Sequence, residues 1–270
     1  MKIAFIGDIV GRPGRKIIKH YLEKIKTEYV IDVVVANGEN ASHGFGLTVK
    51  NAQELFNCGI DVITGGNHTW DKKRDILTLF ETKPVLRPDN YPQDVPGKGV
   101  LKLEINGQRL AVINLMGLYT MPQVLNPFTH ILEVVESLEE EGIKHIFIDF
   151  HAEVTAEKRI LMQMLKGRVS AICGTHTHVG TDDLEINDGT FYVTDVGLTG
   201  CRDNVIGMDS YIPIQKALTG LGGHFEVPNN CKTIMQMVVI ELNEDGKATE
   251  GFKMKLYDDK EAIISKAVVN

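Results

Sequence analysis

The chain has 270 residues, of which 43% are hydrophobic and 24% are charged, and its formal net charge is −7. This composition is typical of a folded protein with a sizeable core, and it excludes disordered, collagen-like and small disulfide-scaffold classes. An acidic chain is not expected to bind long nucleic acids by neutralising their phosphates, although bound metal ions can supply positive charge for a small phosphorylated substrate.

Three features of the sequence bear on cellular context. The N-terminal segment MKIAFIGD lacks the basic region and the long apolar region of a signal peptide. No run of 18 apolar residues is present, so no membrane span is expected. The cysteines have no zinc-site spacing, which favours reduced thiols in a cytoplasmic protein; they are Cys58, Cys173, Cys201 and Cys231.

The first half of the chain alternates between short apolar runs and helical patterns. Strands are predicted at 2–7, 31–36 and 61–64, and helices at 14–29, 48–58 and 71–81. The segment 88–98 contains three prolines and is predicted to be a loop.

The second half adds hairpins to this alternation. Hairpins are predicted where Asn106-Gly107, Asp188-Gly189 and Asp245-Gly246 separate apolar runs. The other predicted elements are helices at 128–141, 156–166 and 210–221 and strands at 145–150 and 169–173. The mixture predicts an α/β fold with one mixed sheet, or with two sheets packed as a sandwich inside outer helices. Because we find no linker and no repeat, residues 1–270 are expected to form one domain.

Residue types that bind metals recur just after five of the predicted strands. They are Asp8, then Glu39 and Asn40, then Asn67 and His68, then His151, and finally His176 and His178. Sites in α/β folds form at the carboxyl ends of strands, so these side chains are expected to converge on one edge. Carboxylate and amide oxygens mixed with imidazoles favour divalent ions such as Mn, Fe or Zn over a pure-oxygen Ca or Mg site. One carboxylate can bridge two ions, and such a pair acts in phosphoryl transfer.

Taken singly, these residues also have structural interpretations. Asp8 can cap a helix or shape a turn, and His151 can be a core histidine bonded to backbone. Five matches at equivalent places are harder to explain in this way. Near them, Trp70 is expected to pack in the core and Asp71 to form a helix N-cap. The GDIVGRPG segment after the first strand also allows a nucleotide-binding module, although it lacks both common phosphate-loop patterns.

The ordered set GD-x-x, GNH, H and GTHTH resembles the motif series of the calcineurin-like metallophosphoesterases. The segments NGENAS, GGNHTWD and TDVGLTG resemble the YmdB-type phosphodiesterase subfamily more closely, and the resemblance runs from Met1 to about Leu256. It implies a four-layer α/β/β/α sandwich with mixed sheets and a dinuclear metal centre. The implied ligands are Asp8, Glu39, Asn40 and His178 for one metal, and Glu39 as bridge, Asn67, His151 and His176 for the other.

The resemblance also implies a reaction. The expected activity is hydrolysis of small phosphodiesters such as 2',3'-cyclic nucleotides, or of short RNA ends, by a metal-bridging hydroxide with His68 as general acid. The alternatives are a metal-dependent phosphomonoesterase or nucleotidase, and a regulatory metalloprotein with low turnover. No membrane or extended nucleic-acid partner is expected, and edge strands leave a homo-oligomer open.

At two positions the sequence differs from the motifs of the broader superfamily, and these differences affect which metal is expected. Val10 stands where the first motif has histidine, and Glu39 stands where the second has aspartate. Because Asn40 can replace the missing imidazole with an oxygen, iron or manganese is expected in preference to an all-zinc pair, and zinc or magnesium is the alternative. Arg12, His43 and Thr199 lie near the expected edge and are candidate substrate contacts.

Overall fold

The computed structural model describes residues 1–258 and 260–270, which contain six helices and fourteen strands. The helices are α1 (Gly11–Tyr29), α2 (Val49–Asn57), α3 (Lys73–Thr82), α4 (Pro127–Glu140), α5 (Thr155–Leu165) and α6 (Tyr211–Thr219). The first strands are β1 (Lys2–Ile6), β2 (Val33–Asn37), β3 (Val62–Thr64), β4 (Val100–Ile105), β5 (Gln108–Met116), β6 (His145–His151) and β7 (Ala171–Thr175). The later strands are β8 (Glu185–Asn187), β9 (Thr190–Val193), β10 (Gly200–Cys201), β11 (Thr233–Leu242), β12 (Ala248–Tyr257), β13 (Ile263–Lys266) and β14 (Val268–Val269).

The strands form two mixed sheets. The first sheet has the order β13-β12-β11-β1-β2-β3, with β10 paired to β11, and the second has the order β14-β8-β9-β7-β6-β5-β4. Strands β1, β2 and β3 are parallel, whereas β11 runs antiparallel to β1. In the second sheet β5, β6, β7 and β9 are parallel, and β4 and β8 are antiparallel to their neighbours β5 and β9.

Three apolar layers hold these elements together. Leu22 of α1 and Leu55 of α2 belong to a cluster on the outer side of the first sheet. Phe5 of β1 meets Phe147 of β6 edge-on, with ring centroids 5.0 Å apart, in a second cluster that lies between the sheets. Leu161 of α5 packs on the outer side of the second sheet. The alternation of inward and outward side chains along each strand thus produces helix, sheet, sheet and helix layers, which confirms the predicted sandwich.

Two of the predicted hairpins have two-residue turns. Asn106 and Gly107 have φ of 52° and 78°, and Asp188 and Gly189 have φ of 53° and 80°. Positive φ at both central residues is the type I′ geometry that fits the twist of the flanking strands. The third hairpin differs from the expected turn, because β11 pairs Leu242 with Ala248 and the connection therefore spans 243–247.

Three strands were absent from the sequence prediction. Strands β10 and β14 each contain two residues, so they carry no periodic pattern. Strand β13 lies at the edge of the first sheet, where most of its side chains are exposed. Among the helices of the described residues, none combines the length and the apolarity that a membrane crossing requires.

The prediction of four reduced thiols is wrong for two of them. Cys201 and Cys231 form a disulfide, whereas Cys58 and Cys173 are free. Strand β10 pairs Cys201 with Thr233 of β11, and this register brings Cys231, two residues earlier, beside Cys201. Residue spacing carried no sign of this pairing, because the two cysteines are 30 positions apart and the chain between them leaves the sheet and returns to it.

A thiol titration checks the disulfide. Protein unfolded in denaturant without a reductant is expected to show two reactive thiols, because only Cys58 and Cys173 are free. The same protein is expected to show four after reduction. Four thiols before reduction would contradict the pairing, and the Cys201→Ser variant serves as a control that is expected to show three in both states.

Candidate metal centre

The predicted metal-ligating residues come together where strands of both sheets end. Asp8 and Glu39 follow β1 and β2 of the first sheet. His151 is the last residue of β6, and His176 directly follows β7, in the second sheet. His151 Nδ1 and His178 Nε2 each lie 3.9 Å from Asp8 Oδ1, so the two halves meet. The sequence predicted that these side chains meet at one sheet edge, whereas they meet between the facing edges of two sheets.

A buried carboxylate joins the two sheets beneath this meeting point. Asp149 of β6 accepts hydrogen bonds from Asn37 Nδ2 of β2 at 3.0 Å and from Thr64 Oγ1 of β3 at 2.5 Å. Its other oxygen accepts from Thr175 Oγ1 at 2.7 Å. Burial raises the pKa of Asp149 to about 6, although its hydrogen bonds and nearby His151 lower it. The sequence pattern places this residue only within an apolar strand and gives no sign of its role.

The same network orients His151. The Thr175 hydroxyl donates its hydrogen to Asp149, so it is an acceptor for His151 Nδ1 at 3.0 Å. Nε2 then faces Asn67 Oδ1 at 2.8 Å and Glu39 Oε1 at 3.2 Å. Burial lowers the pKa of His151, but attraction to Glu39 outweighs it and raises the pKa to about 9. A proton therefore occupies Nε2 when no other cation lies there.

His176 presents its second nitrogen to the same point. Its Nε2 lies 2.9 Å from Glu153 Oε2, so the hydrogen is on that nitrogen and Nδ1 carries the lone pair. Nδ1 faces His151 Nε2 at 3.1 Å. Burial and the nearby His151 lower the pKa of His176 to about 3, so its ring is neutral. Glu153 was not singled out from the sequence, although it lies in the FHAE segment.

His178 is oriented by a backbone carbonyl. Its Nδ1 lies 2.8 Å from the Ile206 oxygen, which can only accept, so the lone pair is on Nε2. That lone pair faces Asn40 Nδ2 at 3.2 Å, and the same amide nitrogen donates to Glu39 Oε1 at 3.1 Å. Rotation of the Asn40 amide by a half-turn would place its oxygen at this point instead.

The two buried carboxylates complete the cluster. Oδ1 of Asp8 is buried and has no hydrogen-bond partner among the described residues, and burial raises the pKa of Asp8. Glu39 Oε2 accepts from the His68 backbone amide at 2.9 Å. Burial raises the pKa of Glu39, but attraction to His151 and its hydrogen bond bring it down to about 2. A buried carboxylate oxygen without a hydrogen-bond partner raises the free energy of the folded protein unless a cation binds it.

The space between these groups suits a cation. Ligand atoms of Glu39, His151 and His176 all lie within 4.8 Å of one another. A Cβ at Gly66 would clash with Glu39 Oε2 and would lie 2.5 Å from His151 Nε2, so only glycine leaves this space open. Imidazole nitrogens of His151 and His176, the Asn67 amide oxygen and the Glu39 carboxylate surround this space, and these are donor types of a divalent metal site.

His68 lies beside the cluster and is oriented by a carboxylate. Its Nδ1 lies 2.8 Å from Asp71 Oδ2, so that nitrogen carries a hydrogen and Nε2 is left for other contacts. Phe45 packs edge-on against the ring, with centroids 5.0 Å apart. The N-cap interpretation of Asp71 is wrong, because Lys72 occupies that position in α3. Trp70 packs edge-on against Phe80 and Tyr91, as expected of a core residue.

A cavity of about 350 Å³ opens above the cluster. Its polar side is lined by Glu39, Asn40, His68, Glu153, His176, Thr177 and His178, and its apolar side by Phe45, Val205, Ile206, Met208, Pro213 and Phe225. Arg12 and His43 are exposed elsewhere. Thr199 is buried and its hydroxyl bonds to the backbone of Gln236. The structure therefore brings none of these three candidate substrate contacts to the cavity.

Three successive amides in the GDIVGRPG segment are not free to bind a phosphate. The backbone N–H groups of Ile9, Val10 and Gly11 donate to the carbonyls of Asn37, Thr199 and Asn40 at 2.9 Å each. A phosphate-binding loop needs such amides unpaired, so this segment does not support a nucleotide-binding module.

The chain is similar to known proteins over nearly its whole length. The model of a family described as YmdB-like protein matches residues 4–253. A Bacillus subtilis (strain 168) protein named 2',3'-cyclic-nucleotide 2'-phosphodiesterase is 44% identical over 260 residues, which cover 96% of this chain and 98% of that protein.

Solved structures show the same similarity. The crystal structure of a Mycoplasma pneumoniae protein described as a novel phosphatase has a TM-score of 0.90 at 34% identity, with 95% of this chain and 93% of that chain covered. A 5'-nucleotidase precursor from Thermus thermophilus has a TM-score of 0.57 at 10% identity, with 98% of this chain and 54% of that chain covered, and it shares the fold alone.

Metal binding can be tested without any assumption about activity. Adding Mn²⁺ to metal-stripped protein is expected to raise the melting temperature by several degrees, because an ion that binds only the folded state stabilises it. The Gly66→Ala variant is expected to lose this increase, since the new methyl group fills the space between Glu39 and His151. Gly107→Ala is the control, because a Cβ there meets nothing within 4 Å although its φ of 78° adds strain. An equal Mn²⁺ shift in all three proteins would contradict the site.

Proposed function

We propose that this chain, which belongs to the YmdB-like protein family, is a metal-dependent phosphodiesterase that hydrolyses small diesters such as 2',3'-cyclic nucleotides. The observation that carries the proposal is the orphaned Asp8 oxygen among oriented imidazoles, with His68 beside them. Family membership and the named Bacillus relative support the reaction class. Because the cluster draws on both sheets, residues 1–270 act as one catalytic domain in this proposal.

The residues present fit two divalent ions that share Glu39. One ion would be held by Asp8, Glu39, Asn40 and His178, and the other by Glu39, Asn67, His151 and His176. When bound, such ions neutralise phosphoryl oxygens and make water acidic enough to supply a nucleophile near neutral pH. The mixed oxygen and imidazole ligand set favours iron or manganese, and the identity of the metals remains a prediction. The cytoplasmic location and the use of short RNA ends as substrates also remain predictions.

His68 supplies the proton for the leaving group. Asp71 accepts from Nδ1–H at 2.8 Å, which holds the ring in place. The proton on Nε2 is then the one available to the departing alkoxide. The backbone amide of His68 donates to Glu39, so the acid and the proposed bridging carboxylate are fixed relative to each other.

The apolar side of the cavity supports an organic substituent on the phosphate. Phe45, Met208 and Phe225 present aromatic rings and a thioether rather than hydrogen-bond donors. Such a surface contacts a nucleobase or another aromatic group without hydrogen-bonding to its polar edge atoms. The proposed substrate class is therefore a diester with an aromatic substituent and little discrimination among bases.

The charge of the cavity favours a diester over a monoester. No lysine or arginine is found among its lining residues in the described ranges, and Glu153 adds a carboxylate. A phosphodiester carries one negative charge, whereas a monoester carries nearly two at neutral pH. With no lysine or arginine to balance the second charge, the diester fits better, so a monoesterase is the weaker candidate.

Substitutions of the acid and its partner test the mechanism. With saturating Mn²⁺ and bis-p-nitrophenyl phosphate, Glu39→Ala is expected to abolish turnover. His68→Ala is expected to lower kcat by about 10²- to 10⁴-fold, the usual contribution of a general acid. Asp71→Asn is expected to cause a smaller loss of kcat, because the ring of His68 loses the carboxylate that orients it. Full activity of metal-free Glu39→Ala protein would refute the proposal.

The ratio of diesterase to monoesterase activity tests the charge argument. We expect kcat/KM for 2',3'-cyclic AMP to exceed that for the 2'- and 3'-monophosphates by at least about tenfold, which corresponds to about 1.4 kcal/mol. We also expect kcat/KM to differ little between adenine and uracil substrates. Glu153→Gln, which removes one negative charge from the cavity wall, is expected to narrow the diester preference. A monoester preference in the wild-type enzyme would instead support the phosphatase alternative.

A further inference from the structure

The loop that carries His176 and His178 has an unfavourable backbone. The two histidines have φ of 101° and 64°, a region that residues with side chains rarely adopt. Strained backbone persists only where surrounding contacts hold it. Both rings reach the cluster because of this conformation, so the contacts that hold the loop also determine the position of two proposed metal ligands.

Several of those contacts come from a buried ion pair behind the loop. Lys158 of α5 and Asp195, which follows β9, are 1% and 0% exposed, and Lys158 Nζ lies 2.9 Å from Asp195 Oδ2. Lys158 also donates to the carbonyl of Thr175, the residue before His176, at 2.9 Å. Neither side chain lines the cavity.

Asp195 holds the middle of the loop. Its Oδ2 accepts from the backbone amide of Thr177 at 3.1 Å and from the Thr177 hydroxyl at 2.8 Å. Its Oδ1 accepts from the Gly197 amide at 2.8 Å, which fixes the carboxylate itself. The pair therefore hydrogen-bonds to the backbone on both sides of His176, at Thr175 and at Thr177.

We infer that Lys158 and Asp195 are positioning residues that hold the His176–His178 loop in its strained form and so preorganise the metal site. The inference rests on the proposed function, because that proposal makes both histidines ligands. A buried ion pair need not add stability to a fold, and the role inferred for this pair is the geometry that it imposes on the loop.

The test compares Mn²⁺ affinity in folded variants. The main variant is the double substitution Lys158→Met with Asp195→Asn, which removes both charges of the pair together. We expect its dissociation constant for Mn²⁺, measured by calorimetry on metal-stripped protein, to rise by about tenfold or more, as for other residues that support metal ligands. Thr177→Val removes the hydroxyl that donates to Asp195 Oδ2 at a partly exposed position. It is expected to give a smaller rise in the dissociation constant, and it keeps the test valid if the double variant does not fold.

Lys253→Met is the matched control. Lys253 is also 0% exposed, but its Nζ donates to the carbonyls of Thr181 and Asp195 and not to the loop from 175 to 178. This variant is expected to lose stability in urea while its Mn²⁺ affinity stays within about twofold of the wild type, because Lys253 bonds the backbone carbonyl of Asp195 and leaves the contacts of its carboxylate with the loop in place. Wild-type affinity in the folded double variant, or an equal loss in Lys253→Met, would overturn the inference. Failure of the proposed function would be seen separately, as Mn²⁺ binding by wild-type protein without diester hydrolysis.

Discussion

The carboxylate of Asp149 is the constraint on which the candidate site depends. It belongs to one sheet and accepts hydrogen bonds from Asn37 and Thr64 of the other, directly below the point where the proposed ligands meet. Because each sheet supplies only part of the ligand set, a small shift between the sheets would separate Asp8 and Glu39 from His151. The same carboxylate orders the Thr175 hydroxyl, and through it the orientation of His151.

The electrostatics of the site follow from this arrangement. Two buried carboxylates and three oriented imidazoles are brought together with little solvent, which is unfavourable for the protein alone and favourable for a bound cation. The site therefore carries negative charge rather than a positive patch, and in the proposed function bound cations would supply the attraction for phosphate. A protein of net charge −7 could then act on a small anionic substrate.

The strand ends were predictable because apolar runs followed by Asp8, Glu39 or His151 leave a local pattern in the sequence. The supporting contacts left no such pattern. Asp149 sits in an apolar strand and finds its partners in another sheet, and the pairing of Cys201 with its disulfide partner depends on strand register. The sequence interpretation of Asp71 failed because a carboxylate before a helix commonly caps it, whereas here the side chain turns back to the preceding histidine ring.

Diffraction from crystals grown with Mn²⁺, measured at the manganese absorption edge, tests the central claim most directly. Two anomalous peaks are expected on either side of the Glu39 carboxylate. One should lie beside Asp8 and His178, and the other beside His151 and His176. A single peak, or manganese bound only away from Glu39, would contradict the account of a two-ion site assembled from both sheets.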